Sequence, residues 1–176
     1  MQPADLAALP AWSDDGHLHV VVETPRGASV KLAWKPTLGA FTLSRALPLG
    51  VTYPHDWGFV PGTRADDGDP LDALVLHDAS TYPDVVLPCR PLALVVVEEE
   101  DVHGARRRND RVIAVPVGVE RLSDLSRLSD LPARVRDELE RFFLNATYFM
   151  AKHVRIVGWK DEADAKALVR EKEMPR

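Results

Sequence analysis

Between His17 and Val117 the chain passes through six strand-like segments with no helical period among them, and that order restricts the fold to mainly antiparallel sheet or a small barrel. Residues 17–24 (HLHVVVET) and 29–34 (SVKLAW) read as strands joined by a hairpin-like turn at Pro25-Arg26-Gly27-Ala28. Further strands are expected at residues 40–44, 73–76, 92–98 and 111–117. After Pro132 the period changes. Val135, Leu139, Phe142, Ala146 and Phe149 recur at three or four residues, which marks an amphipathic helix of about five turns. A short strand at 154–157, closed by Trp159, precedes a last helix from Glu162 to about Lys172 with Asp161 as its cap. No internal repeat, low-complexity run or linker divides the 176 residues, and with 45% of them hydrophobic the whole chain, 1–176, reads as one domain that buries its own core.

Four aspartates fall within seven residues at Asp66, Asp67, Asp69 and Asp72, just before the apolar run Ala73-Leu74-Val75-Leu76. Carboxylates so close repel one another, and either a proton or a hard divalent cation relieves the repulsion. Gly68 admits backbone angles closed to other residues and Pro70 locks φ, so the loop geometry is specified rather than free. The two readings are a metal site and an acidic surface turn. A calcium EF-hand does not fit: counted from Asp67, its sixth and twelfth positions would be Asp72 and Asp78 instead of Gly and Glu, and Pro70 lies inside. An aspartyl-nucleophile phosphatase would place its aspartates after an apolar strand, whereas here the strand follows. Hard oxygen donors of this kind suit Mg²⁺, which keeps several waters and binds beside phosphate substrates.

Composition excludes several classes. The 22 Lys and Arg against 27 Asp and Glu leave a net charge of -5, so no general basic surface for nucleic acid is indicated. Cys89 is the only cysteine, which rules out an intrachain disulfide framework and a thiolate zinc site. The start, Met1-Gln2-Pro3-Ala4-Asp5, lacks a basic segment followed by an apolar core, and no apolar run approaches membrane-spanning length. A cytoplasmic protein with no membrane partner is the expectation.

Asp67-Gly68-Asp69-Pro70-Leu71-Asp72 resembles the signature of the soluble inorganic pyrophosphatases of the single-domain bacterial type. Glu23-Thr24-Pro25, Lys31, Arg45, Tyr53-Pro54, Cys89-Arg90-Pro91, Ala114-Val115-Pro116, Phe142-Phe143 and Gly158-Trp159 follow in the order of that family's pattern, over roughly residues 17 to 170. The resemblance implies a mainly β fold with α, a five-stranded OB-like β-barrel with two flanking α-helices. It also implies hydrolysis of pyrophosphate to two phosphates, Mg²⁺ dependence and a homohexamer. By the same resemblance Asp67 and Asp72 would hold the tightest Mg²⁺, Asp69 would orient or deprotonate the attacking water, and Lys31, Arg45 and Tyr53 would bind phosphate oxygens. Glu23 would hold an outer water or a further metal. An acidic ligand is expected at the end of the strand that starts near Leu92, where Glu99 fits by its distance from Pro91 and Asp101 by its spacing to Gly104.

The departures from the pattern carry a sign. Ala33 stands where the family has a second carboxylate, Asn109 where it has an aspartate, and Ala146 and Thr147 where it has a Tyr-Lys pair that grips the leaving phosphate. Trp57 replaces a tyrosine. Fewer metals and weaker catalysis are expected, since each charge-assisted phosphate contact is worth roughly 1.5–3 kcal/mol. One of Arg106, Arg107 and Arg108 could replace the missing lysine as a clamp; otherwise they form an exposed basic loop that balances nearby glutamates. Two functions stay open: a Mg²⁺-dependent pyrophosphatase of reduced activity or altered substrate choice, and a degenerate relative that binds phosphate compounds or a protein partner without useful turnover.

Overall fold

Val20, Val21 and Val22 in one segment and Val95, Val96 and Val97 in another are all buried, and such stiff β-branched side chains favour a pleated backbone packed on both faces. The computed structural model of the protein describes residues 5 to 175. In chain order the elements are β1 (Leu18–Thr24), β2 (Val30–Lys35), β3 (Ala40–Ala46), β4 (Asp56–Val60), β5 (Leu71–Val75), β6 (Val86–Asp101), β7 (Arg106–Arg108), β8 (Arg111–Pro116), α1 (Ala133–Ala146), β9 (Lys152–Lys160) and α2 (Glu162–Lys172).

Strands β1, β4, β5, β8 and β6 pair in that order, and β6 pairs back onto β1 to close a five-stranded ring. All the contacts in the ring are antiparallel except β5 with β8, which run parallel with Asp72 beside Arg111. β7 and β9 extend the sheet from β6, while β2 and β3 form a separate two-stranded ribbon. Alternate residues of the wall sort into two cores. Leu74, Val95 and Ile113 face Leu139, Phe142 and Phe143 of α1; Ala73, Val75, Leu94 and Val112 face Ala165 and Val169 of α2. Among the described residues no helix is long and apolar enough to cross a membrane.

The turn at 25–28 does not make a hairpin of β1 and β2. The Thr24 hydroxyl takes the Leu32 N–H at 2.9 Å, and the turn itself exchanges bonds with Tyr53, through Gly27 N–H to Tyr53 O at 2.8 Å and Tyr53 N–H to Ala28 O at 3.0 Å. The expected five-turn helix also stops early. Thr147 follows Ala146 with φ -112° and ψ 3°, its hydroxyl bonds back to Phe143 O at 3.0 Å, and Phe149 is left 82% exposed instead of joining the core. By contrast α2 begins as expected, with the Asp161 carboxylate accepting from Ala163 and Asp164 N–H, and carries Arg170 and Lys172 in its last turn where the helix dipole favours cations.

The end of α2 is tied to the segment before the acidic loop. Arg64 N–H reaches Lys172 O at 2.9 Å, Met174 N–H reaches Gly62 O at 2.8 Å, and Lys172 Nζ lies 2.8 Å from an Asp66 oxygen.

β4 escapes sequence reading because Gly58 interrupts its short run, and the packing explains the glycine. A Cβ there would lie 1.9 Å from the Val21 carbonyl oxygen of β1, so only glycine allows the two strands to approach. Gly58→Ala is expected to cost about 3 kcal/mol or more, visible as a lowered urea midpoint; an unchanged midpoint would show that β1 and β4 can separate without penalty.

Candidate active site

The acidic loop holds its shape through its own backbone. Gly68 adopts φ +92°, a conformation that costs other residues, and its N–H closes a turn onto Ala65 O at 3.0 Å. The Asp67 carboxylate accepts the Asp69 N–H at 3.1 Å, while Ala65 N–H bonds Asp69 O at 2.7 Å. Pro70 then leads into β5, whose second residue is Asp72. Asp66 turns aside to the ion pair with Lys172 rather than standing free in solvent.

Glu23, Lys31, Ala33, Asp69 and Asp72 line one cavity of about 160 Å³, roofed by Trp34, Lys35 and Pro36 from the β2–β3 ribbon. Glu23 is buried at the end of β1, and its carboxylate accepts the Trp34 N–H at 2.8 Å. Burial pushes its pKa up to about 7, against the Trp34 bond and Lys31; Asp72 and Asp69 add to the rise. Asp67 is also held above the usual carboxylate range, first by burial and then by repulsion from Asp72, Asp69 and Glu99. A larger groove of about 310 Å³ lies under α2, but there Asp66 pairs with Lys172 and Asp110 with Arg108, so it offers no comparable excess of free acid.

Arg111 connects the two acidic strands. Its guanidinium lies 3.4 Å from Asp72 and 3.2 Å from Glu99, a consequence of the parallel β5–β8 register and of β6 lying next to β8. Glu99 also accepts from Lys152 Nζ at 2.7 Å and Asn109 Nδ2 at 3.1 Å. Burial alone would raise the Glu99 carboxyl, yet Lys152 and Arg111 outweigh it and hold it below its ordinary range. Asp101 spends its carboxylate on the His103 and Ala105 N–H groups of its own turn, at 2.8 and 3.0 Å. Glu99 thus faces Arg111 and, through it, Asp72, whereas Asp101 closes its own turn.

The remaining expected positions differ in how open they are. Tyr53 is buried against Trp57 and Phe142, with ring centroids 6.0 and 5.1 Å away, so it forms a wall; burial pushes its hydroxyl pKa up, with Arg45 opposing and Asp72 and Glu23 adding to the rise. Arg45 donates from Nη1 to Ala146 O at 2.7 Å, joining the ribbon to the end of α1. Trp57 has a buried Nε1–H without a partner among the described residues, and Lys31 and Arg111 lie over its ring at 5.7 and 5.6 Å.

Arg106, Arg107 and Arg108 make β7, an edge strand paired to Glu98–Glu100, where Arg106 bridges Glu100 and Arg108 bridges Asp110, both at 2.7 Å, so of the two alternatives the geometry matches the exposed basic stretch that balances nearby acids. Asn109, which stands where the family pattern expects an aspartate, donates its amide N–H to Glu99. Among the described residues no three His, Cys, Asp or Glu side chains converge tightly enough to form a ready-made metal cage. The donor set still suits Mg²⁺, which binds through one or two carboxylates and retains waters and substrate oxygens. Lys152 was missed altogether, because only the register that sets it opposite Asp101 brings it beside Glu99.

A family model described as inorganic pyrophosphatase matches residues 20–174. The chain belongs to the inorganic pyrophosphatase family. The inorganic pyrophosphatase of a Nostoc strain is 36% identical over 94% of this chain and 95% of its own length. That of Thermus thermophilus is 37% identical, and its crystal structure superposes with a TM-score of 0.86 over 95% of both chains. The Helicobacter pylori pyrophosphatase, at 26% identity, superposes with a TM-score of 0.81. The five-strand ring with two helices is thus the pyrophosphatase barrel, and the described cavity lies where β1, β2 and the acidic loop meet.

The raised pKa of Glu23 sets a pH dependence. The folded pyrophosphatase keeps this proton up to about pH 7, whereas the unfolded chain releases it near 4.5, so the contribution of Glu23 to stability is fully present below pH 4.5 and is lost as pH rises through that window. The 2.5-unit difference corresponds to about 3 kcal/mol. Urea unfolding in chelator should show that decline between pH 4.5 and 7.5 and a flatter profile for Glu23→Gln. Identical slopes in both proteins would remove Glu23 as the cause.

Proposed function

We propose that the chain hydrolyses pyrophosphate to two phosphates with Mg²⁺ as its cofactor, in the cytoplasm and as a homohexamer. The observation that carries the reading is the cavity shared by Glu23, Lys31, Asp69 and Asp72. A pocket with three carboxylates, Glu23, Asp69 and Asp72, against two lysines, Lys31 and Lys35, keeps an acidic excess that disfavours a polyanion unless divalent cations enter with it, and a substrate that arrives as a metal complex resolves the conflict.

Asp67 and Asp72, with the Glu99 oxygen that Lys152 does not occupy, would hold the metal. Bound Mg²⁺ would lower the pKa of a water molecule and neutralise charge on the departing phosphate. The chain's own groups supply the rest. Asp69 is exposed at the cavity mouth with its backbone pinned by Ala65 and Asp67, so its carboxylate is free to accept a proton from that water. Lys31 would donate to a phosphate oxygen from the ribbon side, and Arg45 retains four N–H donors beyond the one given to Ala146. Tyr53 would direct its hydroxyl towards the same phosphate.

Ala33, Asn109 and Thr147 take away two charges and one cation relative to the family pattern, which favours turnover below the family norm. The competing reading, a phosphate-binding relative without turnover, draws on Arg111, which holds Asp72 and Glu99 as a cation already in place. Phosphate release from Mg-pyrophosphate separates the two. Asp69→Asn should lower it roughly 10²–10³-fold with little change in KM, and chelator should abolish it. Equal and negligible rates for wild type and Asp69→Asn would establish the non-catalytic reading.

A further inference from the structure

We propose that Lys152 is a substrate-binding residue of this chain, donating to the phosphate for which Ala146 and Thr147 provide no cation. This rests on the reading of the cavity as a pyrophosphate site. At the end of α1 the Ala146 carbonyl is occupied by Arg45 at 2.7 Å and the Thr147 hydroxyl is turned back onto Phe143 O at 3.0 Å, so neither offers a charge to a ligand. The three arginines of β7 are exposed on the outer edge, and two of them are held by Glu100 and Asp110. Lys152 comes instead from the first residue of β9, whose pairing with Asp101 sets it on the same face as Glu99.

The hydrogen-bond count at Glu99 makes Lys152 available. One oxygen, Oε1, accepts from Lys152 Nζ at 2.7 Å, Asn109 Nδ2 at 3.1 Å and Arg111 Nη2 at 3.2 Å. A carboxylate oxygen has about two lone-pair sites, so three donors on one oxygen exceed its capacity. Arg111 is buried and also held by Asp72, and Asn109 is buried, whereas the Lys152 side chain is 26% exposed. Lys152 is therefore the donor that can leave, and its ammonium keeps two further N–H groups on a flexible four-carbon stem. It sits one shared oxygen from Arg111, which itself touches Asp72 of the cavity. A phosphate oxygen entering beside Arg111 meets an ammonium already positioned, and the surplus at Glu99 is relieved when Lys152 swings to it.

The test uses the full chain with Mg²⁺ and imidodiphosphate, a non-hydrolysable analogue, in titration calorimetry. Lys152→Met should weaken analogue binding about 10- to 100-fold, the factor ordinarily carried by one charge-assisted hydrogen bond, and Lys152→Arg should recover most of it. Mn²⁺ affinity measured without the analogue should be unchanged or tighter in Lys152→Met, since a competing cation has been removed from Glu99. Unchanged analogue affinity in a folded Lys152→Met protein would overturn the proposal, as would a parallel loss of Mn²⁺ affinity, because the lysine would then serve only to position Glu99. A wild type that hydrolyses pyrophosphate while Lys152→Met binds normally removes Lys152 alone. A wild type that neither hydrolyses nor binds the analogue removes the pyrophosphate reading and this proposal together.

Discussion

The barrel exists because β6 can serve four partners. Its sixteen residues, Val86–Asp101, pair with β1 near Val86–Cys89, with β8 from Cys89 to Val95, with β9 from Leu94 to Asp101 and with β7 at Glu98–Glu100. A straight strand has only two edges, so the same strand must turn from one set of neighbours to the next. Register shifts at Pro91/Ala93 and Val96/Val97 provide those turns. Closing the ring at β1 removes the open edge, and carrying β6 beyond the ring delivers Glu99 to the acidic side of the molecule.

The site is governed by electrostatics that the barrel imposes. Parallel pairing of β5 with β8 sets Asp72 next to Arg111, and β6 adds Glu99 on the guanidinium's other side. Acids at Glu23 and Asp67 remain without a comparable cation, and both are held above their ordinary pKa. The protein thus divides its carboxylates into a half neutralised by its own cations and a half that still lacks positive charge. That division matches a site built to receive metal along with an anionic substrate.

Much of this was legible in residues alone, because local rules and global fold agree there. The β-branched runs of β1 and β6, the Gly68-Pro70 loop and the Asp161 cap announce themselves through backbone preference, and the ordered motifs locate Asp67, Asp69 and Asp72. What stayed hidden depends on register. β4 was lost because Gly58 is required by a neighbouring backbone rather than by its own strand, and β7 because three arginines carry no strand signal. Lys152 lies 53 positions from Glu99, and only the β6–β9 pairing brings them together. Helix α1 was read too long because Phe149 continues the period in sequence after Thr147 has ended the helix.

The contacts between α2 and the segment before the acidic loop have a temporal side. Asp66 and Lys172 are 106 residues apart, and the same helix end also holds Gly62 and Arg64. During synthesis at about 5–20 residues per second, the loop leaves the ribosome roughly 5–20 s before its fastening is made. Until then its crowded carboxylates lack that anchor, although Arg111 of β8 and Lys152 of β9 have already been made. The nascent protein therefore carries an unfastened acidic loop until α2 has been made, and the strand pairings on either side of the loop form before its final tether.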